Sequence, residues 1–78
     1  DNLSKYDVMG DRVMKIKMTK YLKDAAMFKP MEAPFETEVT TEDFSLIISI
    51  MGFKETSKPG HYWKRTAYNE CETLDIMR

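Results

Sequence analysis

Residues 12–30 read "RVMKIKMTKYLKDAAMFKP", and the fold turns on whether this stretch is a helix or something extended. Both periods are present. In Met14-Lys15-Ile16-Lys17-Met18 apolar and basic residues alternate, the period of a half-buried strand. Over a longer window Met14, Met18, Tyr21, Leu22, Ala25 and Phe28 fall on one stripe of a helix, with Lys15, Lys20 and Lys23 off it. Lys, Met, Leu and Ala are good helix formers, Asp11 is a suitable N-cap, and Lys29-Pro30 supplies a stop. Composition and length together predict a helix from about Arg12 to Phe28. Ile16, off the stripe, is the residue that objects.

Working outward, "PMEAPFETEV" carries two prolines and reads as an extended connector over residues 29–40. It doubles as a short edge strand with Phe35, Thr37 and Val39 on one face, since proline is tolerated at sheet edges. "TTEDFSLIISIMGF" is a helix: Thr40 or Thr41 caps it, Glu42 and Asp43 suit its positive end, and Gly52 closes it. Phe44, Ile47, Ile48 and Met51 recur at helical spacing, while Leu46 and Ile50 add a second apolar flank. A helix so apolar is expected to be buried on two sides or shared with a partner chain.

Beyond Gly52 the period changes. Phe53 to Thr56 is a short strand, "SKPG" a turn, and "HYWKRTAY" has strand composition. A two-residue loop at Asn69-Glu70 would return the chain into "CETLDIM". That register sets Trp63 against Ile76, Lys64 against Asp75 and Thr66 against Thr73. Trp63 then joins Ala67, Leu74 and Ile76 on the core face, and Tyr62, Lys64, Thr66, Asp75 and Met77 take the other. The resulting expectation is a single α+β domain over 1–78, two helices packed on a three- or four-stranded antiparallel sheet, with residues 1–11 irregular.

Composition narrows function by exclusion. One cysteine and one histidine make neither a disulfide framework nor a zinc site. Gly10, Gly52 and Gly60 are isolated, so no phosphate-cradling loop is recognised, and no cofactor is expected. The longest apolar run, "LIISIM", is far short of a membrane span and no leader opens the chain, so a reducing, cytoplasm-like compartment is the simplest expectation. A chain starting at Asp1 fits a processed precursor or a fragment. The charge is blockwise: basic from Arg12 to Lys29, acidic from Met31 to Asp43, basic from Lys54 to Arg65, acidic from Glu70 to Asp75. Opposed blocks on neighbouring elements are expected to face one another within the fold.

No nucleophile–base set emerges, because Cys71 and His61 fall at opposite ends of the proposed hairpin. Glu36 and Glu38, on one side of a strand, read as a solvated edge. The first expectation is therefore a non-enzymatic protein-interaction module: an inhibitor, an accessory subunit or a phage-type accessory protein. It would bind another protein or a second copy through Met27, Met31, Leu46, Ile50 and Met77, the methionines being adaptable contact residues. The alternative is an RNA- or DNA-binding module using Tyr62, Lys64, Arg65 and Tyr68, where aromatics interleave with bases. A further reading rests on resemblance. A helix closing at "MGF", a short strand, then Gly60 followed by His61 on a strand resembles the HicA-type mRNA-interferase toxins. The resemblance spans Leu46 to Thr66 and implies a fold like a double-stranded-RNA-binding domain, with His61 catalytic and RNA the substrate. This chain has no serine between Gly60 and His61, which turns the histidine to the other face of the strand, and it ends in a strand where the family has a helix.

Overall fold

In the computed structural model, which describes residues 13–77, the alternation in residues 13–24 prevails over the helical stripe. The elements are β1 (Val13–Asp24), β2 (Met27–Pro30), β3 (Phe35–Thr40), α1 (Thr41–Met51), β4 (Lys54–Glu55), β5 (His61–Ala67) and β6 (Glu70–Met77). The predicted helix at 12–28 is thus a long strand, a hairpin turn and a short strand. Among the described residues, one helix on a six-stranded antiparallel sheet replaces two helices on a smaller one. The Asp11 cap and the irregular 1–11 segment lie outside the described residues.

The reason is tertiary. β1 is hydrogen-bonded on both edges: β6 pairs with Lys15–Leu22 on one side, and β3 then β2 pair along the other. Ile16, the residue off the helical stripe, is completely buried. Helix propensity differences among ordinary residues are worth at most about 0.7 kcal/mol each. Burying an isoleucine side chain is worth about 1.5–3 kcal/mol, and a doubly paired strand satisfies its backbone besides. Ala25-Ala26, strong helix formers, become the two-residue loop between the paired Asp24 and Met27.

The sheet runs β2-β1-β6-β5-β4, with β3 also on β1. Because paired residues share a face and neighbours alternate, Met14, Ile16, Met18, Lys20 and Leu22 point to one side with Val39, Leu74, Glu72, Tyr62 and Lys64. α1 packs on that side. Its Phe44, Ile47 and Ile48 meet the core residues Ile16, Phe53 and Leu74, and Phe44 meets Tyr62 edge-on with ring centroids 5.5 Å apart. The helix ends are as read: Thr40 Oγ1 accepts from the Asp43 N–H at 3.1 Å, and Gly52 turns left-handed (φ 78°) to close the last turn on Ile48 O. Burial on two sides is not realised, since Leu46 is 51% exposed and Ile50 77%.

The β5–β6 hairpin carries the second correction. Its loop is Tyr68-Asn69, between the paired Ala67 and Glu70, and Thr66 is an extra bulged residue before Arg65 pairs with Cys71. The register is displaced by three residues from the predicted one: Trp63 faces Thr73, not Ile76. An odd displacement exchanges the faces. Tyr62 and Lys64 go to the helix side and Trp63 to the opposite side. No described helix is long and apolar enough to cross a membrane.

Candidate functional site

The only helix among the described residues lies on one side, so among the described residues the other face of the sheet is open. Three rows of side chains cross it. Lys17, Asp75 and His61 form the first, Thr19, Thr73, Trp63 and Lys54 the second, and Tyr21, Cys71 and Arg65 the third. Lys23 and Phe28 extend the face beyond the third row. Thr19 is buried on this face, and the hydroxyl of Thr73 is buried there without a hydrogen-bond partner. Trp63, 39% exposed, stands beside them.

The face divides by charge. On the side of the first row the blocks do oppose one another: Lys17 lies across from Glu36, and Lys15 makes an ion pair with Glu36 at 3.5 Å. His61 Nδ1 and Asp75 Oδ1 are 2.5 Å apart, closing that row. From the second row onward no acid is on the face among the described residues. Glu70 and Glu72 project to the helix side, where Glu72 sits 3.9 Å from Lys64 and Lys64 lies over the Phe53 ring. What remains is Tyr21, Phe28 and Trp63 among Lys23, Lys54 and Arg65. Arg65 is steered by donating to Tyr68 O at 3.0 Å. Burial pushes the Cys71 thiol up, and the guanidinium of Arg65 pulls it partly back. Cys71 is thereby kept a thiol, in keeping with a packing role.

The residues singled out from sequence are divided by this geometry. Arg65 stays on the open face. Tyr62 and Lys64 are turned into the helix-side packing, and Tyr68 is at the hairpin tip, 94% exposed. Met27, Met31, Leu46, Ile50 and Met77 are all exposed. They do not form one patch: Leu46 and Ile50 are on the helix, Met27 and Met31 on the β2 arm, and Met77 on the open face at the end of β6. His61 and Cys71 lie at opposite ends of the β5–β6 pairing, as expected. Lys17, Tyr21, Lys23, Phe28 and Lys54, which the sequence did not single out, share this face with Arg65, and Trp63, read as a core residue, joins them. The signal for the β1 residues was the Lys alternation itself, set aside in favour of the helical stripe.

A search against protein-family models, curated proteins and solved structures returns no match to this chain. Where the toxin resemblance implies a fold like a double-stranded-RNA-binding domain, the described residues form six strands and one helix, and the chain's last described element is a strand. Among the described residues no group of three or more His, Cys, Asp or Glu is placed to hold a metal ion.

Proposed function

We propose that the chain works by binding, and that its open sheet face takes single-stranded nucleic acid. The observation that carries this reading is the acid-free half of that face, where Tyr21, Phe28 and Trp63 stand among Lys23, Lys54 and Arg65. Stacking on an aromatic side chain is worth about 1–3 kcal/mol per base, and cations between the rings meet the phosphates. A sheet surface suits splayed bases, whereas double helices are read through their grooves. Tyr21 and Trp63 are separated by two strand spacings and one row, roughly 12 Å in all, so bases of one extended strand can reach both. The chain's net charge of −1 does not oppose this, because binding responds to the local face and Glu70 and Glu72 are on its far side. Met27, Met31, Leu46, Ile50 and Met77, the residues of the protein-interaction reading, are not gathered on one surface.

Trp63 is the only tryptophan, so it reports directly on its own contact. A short oligouridylate is expected to quench its fluorescence, with affinity falling with salt at a log–log slope of about −2, roughly 0.7 for each of three cations. Anisotropy of labelled oligouridylate is expected to show about tenfold weaker binding for Trp63→Ala and for Arg65→Ala, within the range of one stacked base or one charge contact. Quenching that ignores salt would sink the reading. So would inorganic polyphosphate that displaces the oligonucleotide equally well per phosphate, since charge alone would then explain binding.

A further inference from the structure

β5 is seven residues long, but β4 beside it has two, paired with Tyr62 and Trp63. From Lys64 onward the edge of β5 away from β6 has no strand partner among the described residues. A groove of about 470 Å³ opens against that edge, between Met51-Gly52 at the end of α1 and Trp63 to Thr66, with Lys54 at its side. This is the size of an ordinary ligand cleft. A Cβ on Gly52 would meet nothing within 4 Å, so the groove is open on the helix side.

We propose that this edge accepts an extended, acidic peptide segment of another protein, which adds as a strand to β5. In such recognition the backbone hydrogen bonds supply affinity and alternate side chains supply specificity. Here alternate side chains of the added strand meet different surfaces: Trp63, Lys54 and Arg65 on the open face, and Met51 and Lys64 on the helix side. The sign of the partner follows from the lining, which includes Lys54, Lys64 and Arg65 and no carboxylate. A second copy is disfavoured on the same ground, since two β5 edges would set Lys64 and Arg65 against like charges. The opposite edge of the sheet offers no equivalent. It carries Pro30, lacking an N–H, and Glu36 and Glu38, which repel an acidic strand. The inference goes beyond nucleic-acid binding and does not depend on it.

The probe is the acetylated, amidated hexapeptide Asp-Val-Thr-Val-Glu-Val, titrated into isotope-labelled chain and followed by backbone amide signals. Two further versions carry N-methyl groups on alternate residues, one set for each edge of the peptide. The parent is expected to shift the amides of Lys64 to Ala67 and slow their exchange with solvent. One methylated version is expected to bind about tenfold more weakly and the other to match the parent, because only one peptide edge faces β5. A version with lysines replacing the two acids is expected to weaken to a similar degree. Equal binding by both methylated versions, shifts confined to other residues, or no binding at millimolar peptide would each overturn the proposal. Sedimentation of the chain alone as a dimer that the peptide dissociates would assign the edge to a second copy and overturn it as well.

Discussion

Ala25 is the one non-glycine residue among those described with a positive φ, 58°. An L-residue with a Cβ is strained by about 1–2 kcal/mol there, which glycine avoids. Ala25→Gly is therefore expected to stabilise the protein by about 0.5–1 kcal/mol, the strain relieved less the extra entropy of an unfolded glycine. Urea unfolding measures it, and a loss of stability would show that the hairpin does not adopt this turn. The same residue explains why the loop was illegible. A loop sequence normally announces itself with Gly, Asn or Asp, and two alanines announce a helix. Gly52 is the opposite case: a glycine directly after a periodic apolar run, with φ 78° in the structure, can be read as a helix stop from the sequence alone. Gly60, at φ 77°, serves the turn into β5 in the same manner, its carbonyl accepting from Ile76 N–H at 2.9 Å.

Among the elements, α1 was legible because its signals are local. The cap, the acidic first turn, the apolar spacing and the glycine all lie within thirteen residues, Thr40 to Gly52. Thr40→Ala is expected to cost about 1 kcal/mol, because the N–H of Asp43 loses its acceptor at the helix start. Thr40→Ser should recover most of that in the same thermal or urea unfolding, and a variant as stable as the parent would remove the cap from the account. β1 was not legible because its stability is supplied by neighbours distant in sequence, β6 above all. The β5–β6 hairpin was recognised as a hairpin but not in register. A bulge at Thr66 adds one residue to one strand, and no residue there marks it, so the face carried by Trp63 could not be read.

For the whole molecule, the notable quantity is how little is fully buried. Ile16 and Leu74 are the completely buried large side chains among the described residues, and Phe53 completes the cluster. The long dimension is 48 Å, whereas an eleven-residue helix spans only about 16 Å. Much of the sheet therefore extends beyond what this helix can cover. Ile16→Ala is expected to cost about 2–5 kcal/mol, a large part of the stability of so small a domain. Ile50→Ala, at a side chain 77% exposed, should change stability by no more than about 0.5 kcal/mol. Equal effects in denaturant unfolding would return residues 12–28 to the helical stripe, where Ile16 faces water.

By itself the sequence determined the helix Thr41–Met51 and its caps, and the turn before His61. Each follows from contacts within a few residues or from composition, and such contacts are present in any arrangement of the chain. Tertiary structure decided that residues 13–24 pair on two edges, and which face of β5 meets the helix. A strand has no stability apart from its partners, and one bulged residue exchanges its two faces. For that reason Trp63 passed from expected core to exposed platform, and Tyr62 the other way.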